Sequence, residues 1–299
     1  MPEDTEEPVK KSRWLTIVLS LVPVWLAVSA GVAVWWALRD DDQEEIERQQ
    51  RFAIQMSEER ITEDLRKLRE MVGERHTRDE SSQRNLTRAA AMVEGILGPS
   101  NTGYQVDRIV APNEWPIFRV SLPAAKDDAP QLWVVAAYDS PRDTDTSLAD
   151  SALASVIATA QALAKDQLES TLHFLFVPHG NESESPIADT LKKAQTLMDA
   201  PASVFVIGPM GSSPQLICLA SDTAAPSVRA LGELGGQERL GSEIQNLATT
   251  YQTLNLPVLW VTTRRDGSDP NAIEASNIAV SAGKLVEWLR RAARLEAAE

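Results

Sequence analysis

Four apolar segments of this sequence end in residues that could carry out chemistry. The segment ends are Tyr138-Asp139, His179-Gly180-Asn181-Glu182, Gly208-Pro209-Met210 and Arg264-Arg265-Asp266. Imidazole and carboxylate groups bind zinc, and an imidazole between a carboxylate and a hydroxyl can activate that hydroxyl as a nucleophile. If the segments are strands of one α/β sheet, their carboxyl ends meet at the edge where such sheets bind ligands.

A serine hydrolase or a calcium site would be the simplest use of these residues, but neither has the pattern it needs. His179, Asp139 and either Ser140 or Ser183 would form the hydrolase triad, yet no Gly-x-Ser-x-Gly turn presents a serine. Carboxylates in the loop 139–150 suit Ca²⁺ or Mg²⁺, but their spacing matches no dedicated cation loop. A solvated acidic loop explains them better.

Predicted strands and helices alternate through the last two thirds of the chain. Residues 104–122 read as a hairpin interrupted at 111–116. Strands are predicted at 131–138, 170–180, 202–211, 215–221 and 256–267, and helices at 83–98, 151–166, 187–200, 225–252 and 272–299. This alternation predicts one α/β domain, a three-layer sandwich with a mixed, mostly parallel central sheet.

Short motifs follow one another along this pattern in a known order. They are Gly73-Glu74-Arg75 after a helix, Gly103–Val106 opening a strand, Ala137-Tyr138-Asp139 closing one, Ser147–Asp150 opening an Ala-rich helix, and 172–185 ending another strand. Over about residues 61–292 this order resembles the co-catalytic di-zinc aminopeptidases. That fold includes bacterial secreted leucyl aminopeptidases, glutamate carboxypeptidases, glutaminyl cyclases and the transferrin receptor, and the resemblance implies the same fold here.

The resemblance also implies where a metal site would lie. The family holds two zinc ions with two imidazoles and three carboxylates, one of them bridging, and a glutamate activates the bridging water. The bridging carboxylate falls on Asp150, and the carboxylate that orients the first histidine ligand falls on Asp139. The histidine ligand itself falls on Ala137, whose methyl group cannot bind a metal.

The remaining site positions also carry residues that do not bind zinc. The general-base glutamate and the neighbouring ligand fall on Gly180 and Asn181, the third carboxylate on Gly208 or Pro209, and the last histidine on Arg264. We therefore expect a degenerate member of the family that lacks most metal ligands. Such a pseudopeptidase would need no cofactor and would act in binding or scaffolding.

An active metallopeptidase is the alternative. Its zinc would need a rearranged site built from the residual candidates Asp150, His179 and Glu182, or Glu184 in place of Glu182. Only three histidines occur in the chain, and the other two lie in the entry turn and inside a predicted strand. This alternative predicts aminopeptidase-type hydrolysis with zinc as cofactor.

Residues 14–38 form an apolar segment without a charge. As a helix it would be about 37 Å long, enough to cross a hydrocarbon core about 30 Å thick. Basic residues precede it and acidic residues follow it, which by the positive-inside rule places residues 1–13 in the cytoplasm. We predict a single-pass anchor in the plasma (inner) membrane with an extracytoplasmic body; a cleaved signal peptide is less favoured because its apolar region is ordinarily shorter.

Residues 39–72 are strongly charged and contain a sparse apolar series. The series is Ile46, Ile54, Ile61, Leu65, Leu68 and Val72. Because this spacing fits one face of a helix, we predict a solvated helical stalk, followed by the α/β domain in residues 73–299. In the alternative, the stalk pairs as a short coiled coil and the chain is a structural envelope protein.

Composition limits the partners. The formal net charge of −14 argues against nucleic acid, which requires a basic surface. The single cysteine, Cys218, excludes an internal disulfide and a cysteine metal cluster. The expected partners are therefore the membrane, through residues 14–38, and a protein or peptide ligand.

Overall fold

The structure is a computed structural model with two compact units, Met1–Gln50 and Arg51–Glu299. It describes Ser29 and residues 56–110, 115–126, 128–142, 145–164, 166–181, 187–196, 201–220, 256–265 and 272–296. The predicted membrane segment 14–38 and the predicted helices at 225–252 lie outside these residues. Within them, no helix is both long enough and apolar enough to cross a membrane.

A seven-stranded sheet forms the centre of the second unit. Its strands are β1 (Val106–Val110), β2 (Pro116–Leu122), β3 (Gln131–Ala137), β4 (Thr171–Val177), β5 (Ser203–Ile207), β6 (Ile217–Ala220) and β7 (Val258–Thr262). They lie in the order β1-β2-β4-β3-β5-β7-β6. The predicted hairpin is confirmed as β1 and β2, which pair antiparallel.

The sheet is mixed as predicted, but it is less parallel than we expected. Strands β4, β3, β5 and β7 run parallel, whereas β1, β2 and β6 join by antiparallel pairing. Half of the pairings are therefore antiparallel, and "mostly parallel" holds only for the four central strands. The pairing of β1 with β2 has a simple physical reason, because two strands joined as a hairpin need no helical crossover.

The four parallel strands are apolar nearly throughout because both faces are covered. All five residues of β5 and of β7 are buried. Leu132, Val134 and Ala136 of β3 join the larger core, while Trp133 and Val135 join a second core on the opposite face. The carboxyl ends of these strands reach the edge where the predicted site residues lie.

Five helices are described. They are α1 (Glu58–Arg66), which continues as a π-helical stretch over Lys67–Val72, α2 (Glu80–Leu97), α3 (Ser147–Leu163), α4 (Ile187–Gln195) and α5 (Ala275–Glu296). The larger core contains buried residues of α1, α2, α3 and α5, whereas Ala194 of α4 belongs to the second core. Small residues allow α3 to be buried along almost its whole length, which holds its first turn firmly against the sheet.

The structure corrects the predicted boundary between stalk and domain. Ile61, Leu68 and Val72, which we assigned to a solvated stalk, are at most 6% exposed and belong to the larger core. Helix α1 packs against α3 and α5. The spacing does define one apolar face of the helix, but α3 and α5 cover that face instead of solvent, so the packed domain begins before residue 73.

The turn between α1 and α2 is held at both ends. Gly73 ends the π-helical stretch with a φ of 73°, and its amide donates to the carbonyl of Leu68 at 2.7 Å. Asp79 begins α2 by accepting from the amide of Ser82 at 2.9 Å, and this hydrogen bond lowers the pKa of Asp79 to about 2. The turn 73–78, called the entry turn below, is thereby placed against the carboxyl edge of the sheet.

Candidate functional site

Asp139 joins the ends of β3 and β4. Its side chain is fully buried, and its two carboxylate oxygens accept from the backbone amides of Gly180 and Asn181 at 2.8 and 2.9 Å. The side-chain amide of Asn181 donates back to the carbonyl of Asp139 at 2.9 Å. The carboxylate that the resemblance assigned to orienting a histidine therefore holds a backbone turn in place.

Ala137 and Gly180 are packed directly against each other. A Cβ atom added to Gly180 would overlap the Cβ of Ala137, with Asp139 Oδ1 only 3.6 Å away. These are the positions at which the resemblance places the first histidine ligand and the general-base glutamate. The Ala137 methyl group therefore leaves no room for a side chain at residue 180.

His179 precedes this contact in an unusual conformation. It is fully buried and has a φ of 65°, the left-handed region that non-glycine residues rarely adopt. The conformation turns the chain so that the next two amides point at Asp139. Glu182, the third residual metal candidate, lies outside the described residues.

Asp150 lies in the first turn of α3 and forms a buried ion pair. It is 1% exposed, and its Oδ1 accepts from Nη1 of Arg75, which is fully buried, at 2.6 Å. Its Oδ2 accepts from the hydroxyl of Thr146 at 2.8 Å. Burial raises the pKa of Asp150, and the Arg75 guanidinium opposes this rise.

Arg75 is the site residue that sequence reasoning missed. Its Nε donates to the carbonyl of Tyr138 at 2.6 Å, and its Nη1 also donates to the carbonyl of Gly73 at 3.2 Å. The sequence showed Arg75 only as part of a turn motif. A contact across 75 positions of the chain leaves no local pattern, so the partner of Asp150 could not be read from spacing.

The ends of β5 and β7 offer no metal ligands at the predicted positions. The carbonyl of Pro209 accepts from the hydroxyl of Thr262 at 2.6 Å and from the amide of Thr263 at 3.2 Å. A Cβ added to Gly208 would lie 2.8 Å from the Trp260 ring. The backbone amide of the half-buried Arg264 donates to Thr262 Oγ1 at 3.1 Å.

The residues present do not fit the two zinc ions that the resemblance implies. Where the structure describes the chain, no three histidine, cysteine, aspartate or glutamate side chains come together as metal ligands. Asp150 already accepts hydrogen bonds at both oxygens, and Asp139 does the same. A zinc ion would have to displace these buried contacts, and it would gain no imidazole at residue 137.

The other two histidines have separate surroundings. His76 in the entry turn lies with Nε2 at 3.1 Å from Glu74 Oε1, and its Nδ1 accepts from the amide of Arg78 at 3.3 Å. His173 in β4 has Nδ1 at 2.8 Å from the hydroxyl of Ser121. His173 lies inside β4 and not at the carboxyl end of that strand.

Of the two candidate nucleophiles of the serine-hydrolase alternative, Ser183 lies outside the described residues and Ser140 is engaged with the backbone. The hydroxyl of Ser140 accepts from the backbone amide of Arg75 at 2.9 Å, and the amide of Ser140 donates to the carbonyl of Arg75 at 2.7 Å. Ser140 is fully buried. Its hydroxyl therefore fastens the entry turn to the loop after β3 and faces no open cleft.

Comparisons with known proteins find the fold but no close relative. No protein-family model and no curated protein matches the chain. Among solved structures, the LapA aminopeptidase of Legionella pneumophila has a TM-score of 0.62 at 11% identity, covering 84% of this chain and 74% of its own. The glutaminyl cyclase of an Acidobacteriales bacterium has a TM-score of 0.55 at 12% identity, covering 81% and 96%.

A leucine aminopeptidase precursor from Bacteroides thetaiotaomicron is also similar in structure to this chain. Its TM-score is 0.53 at 9% identity, covering 80% of this chain and 98% of its own. At such identities the likeness bears on the backbone and leaves the chemistry to the residues of each protein. The described part of the chain has the α/β fold of these two aminopeptidases and of the glutaminyl cyclase.

Proposed function

We propose that this chain is a membrane-anchored, extracytoplasmic aminopeptidase-like domain that does not hydrolyse peptides and serves to bind or scaffold a protein or peptide partner. Residues 14–38 would be the anchor. The fold is retained because the residues that pack the sheet differ from the residues that would perform hydrolysis.

The observation that carries this proposal is the pairing of Asp150 with Arg75. Of the positions that the resemblance assigns to the metal site, Asp150 is the one that would bridge both ions, and its Oδ1 is 2.6 Å from a buried guanidinium. A second cation beside this pair would meet the positive charge of Arg75. The contact between Ala137 and Gly180 supports the same conclusion, because a side chain at residue 180 would overlap the Ala137 methyl group.

Metal content and activity test the loss of hydrolysis. We expect the full-length chain, purified in detergent and dialysed against metal-free buffer, to contain no stoichiometric zinc by mass spectrometry. We also expect no release of chromophore from aminoacyl substrates after Zn²⁺ or Co²⁺ is added. Tightly held zinc, or hydrolysis that a chelator abolishes and zinc restores, would establish the alternative metallopeptidase built around Asp150, His179 and Glu182. A zinc protein of known content, dialysed in parallel, controls for metal loss.

The anchor is tested separately. We expect the full chain to remain with membranes after alkaline carbonate extraction, and a chain that lacks residues 1–39 to be released, because removing an uncharged span removes its hydrocarbon burial. A protease added to spheroplasts, in which the outer face of the plasma (inner) membrane is accessible, should digest the domain while the N-terminus stays protected. Release of the full-length chain by carbonate would contradict the anchor.

A further inference from the structure

The surroundings of Asp150 bind a cation of a different kind from zinc. We infer that they form a guanidinium-binding site whose occupant is the chain's own Arg75, so that the site fastens the segment Glu58–His76 to the sheet. This inference rests on the proposed function, because it assigns a ligand to the position of the lost metal site.

Three acceptors from separate parts of the chain surround the Arg75 guanidinium. They are the carbonyl of Tyr138 after β3 at 2.6 Å, the carbonyl of Gly73 in the entry turn at 3.2 Å, and Asp150 Oδ1 in α3 at 2.6 Å. Asp150 and Tyr138 are no more than 1% exposed, as is Arg75 itself. These groups neutralise one positive charge and accept from Nε and Nη1, whereas the buried Nη2 has no acceptor among the described residues.

This set of acceptors suits a planar guanidinium better than it suits a metal or an ammonium. A guanidinium spreads one charge over a rigid fork of donors and is weakly hydrated, so its burial costs less than that of an ammonium. A zinc ion would find one carboxylate and two carbonyls, and it prefers nitrogen and sulfur ligands. The chemistry of the site therefore selects the group that Arg75 supplies.

The backbone beside Arg75 strengthens the connection. The amide and carbonyl of Arg75 both bond to Ser140, at 2.9 and 2.7 Å. Outside the buried site, Nη2 of the exposed Arg69 donates to the hydroxyl of Ser147 at 3.0 Å. Arg75 is the buried element of this connection and Arg69 the exposed one, which makes Arg69 a matched control.

Chemical rescue tests the inference. In Arg75→Ala, ethylguanidinium carries the atoms that the substitution deletes beyond Cβ. We expect it to raise the folded-to-unfolded ratio of the full-length variant about tenfold when present at ten times its dissociation constant. The readouts are urea titrations with and without ethylguanidinium, and the rate at which trypsin cleaves within residues 58–78. If Arg75→Ala does not accumulate in folded form, its refolding yield with and without the ligand provides the same comparison.

Matched controls separate specific rescue from a general salt effect. Two kinds of control should show no stabilisation. The first is Arg75→Ala with propylammonium at equal concentration. The second is ethylguanidinium added to Arg69→Ala or to the double variant Arg75→Ala/Asp150→Asn. Equal stabilisation of all variants, or no stabilisation of Arg75→Ala, would overturn the guanidinium site. Rescue of Arg75→Ala by Zn²⁺ in place of ethylguanidinium would overturn it as well.

The outcomes distinguish this inference from the proposed function. If ethylguanidinium fails and the wild-type chain holds no zinc, the guanidinium site is wrong and the non-hydrolytic function stands. If the wild-type chain holds stoichiometric zinc, the proposed function is wrong, whatever the result of the rescue.

Discussion

Replacing Arg75 with methionine is expected to lower the free energy of unfolding by about 3–5 kcal/mol, because it leaves the Asp150 carboxylate buried without its partner. The side chains of both residues are at most 1% exposed, so solvent cannot take over the role of the guanidinium. Urea titration of the full-length protein, followed by tryptophan fluorescence, measures the loss.

The double variant Arg75→Met/Asp150→Leu distinguishes a charge effect from a packing effect. Replacing both members of a buried pair with apolar residues is often neutral or stabilising, so the double variant should be more stable than Arg75→Met alone. Arg66→Met serves as the exposed control, since the Arg66–Glu63 pair has side chains 48% and 45% exposed and should contribute nothing measurable. An Arg75→Met variant as stable as Arg66→Met would contradict the importance of the buried pair.

Adding one methyl group to Gly180 is expected to cost about 1–3 kcal/mol, because the new Cβ would overlap that of Ala137 in a packed region. The exchange variant Ala137→Gly/Gly180→Ala moves the methyl group to the other side of the same contact. We expect it to recover most of the loss. Thermal unfolding of the three proteins measures the effect.

Gly95 provides the matched control for this series. It lies exposed in α2, and a Cβ added there would meet no atom within 4 Å. Gly95→Ala should therefore stabilise the protein by up to about 1 kcal/mol through helix propensity. If Gly180→Ala behaved like Gly95→Ala, the close contact between the ends of β3 and β4 would be wrong, and with it one of the two observations behind the non-hydrolytic function.

These two predictions also bear on whether zinc ligands could be introduced into this chain. A glutamate at residue 180 would need the same space as the Ala137 methyl group. A metal beside Asp150 would have to displace a guanidinium that also holds the Tyr138 carbonyl. Restoring the missing side chains singly is therefore expected to unfold the site before it binds a metal.

Much of the fold could be predicted from the sequence because its patterns are local. The apolar runs that became β3, β4, β5 and β7 are interrupted in their interiors only by His173 of β4, and the small residues of α3 predict a buried helix. The boundary between the stalk and the domain was harder to predict from the sequence. The spacing of Ile61, Leu68 and Val72 defines an apolar face, but it contains no information on whether solvent, a second chain or the same domain covers that face.

For the candidate site, too, the sequence gives the residue types, whereas the long-range contacts come only from the fold. The residue types at Ala137, Gly180 and Arg264 are present in the sequence itself, and methyl, hydrogen and guanidinium groups are not zinc ligands in any fold. Which contacts Asp139 and Asp150 make was decided by the tertiary structure. Asp139 accepts from amides 41 and 42 residues later, and Asp150 pairs with a guanidinium 75 residues earlier. Such contacts depend on where the chain folds back on itself, so only the assembled sheet and helices bring the partners together.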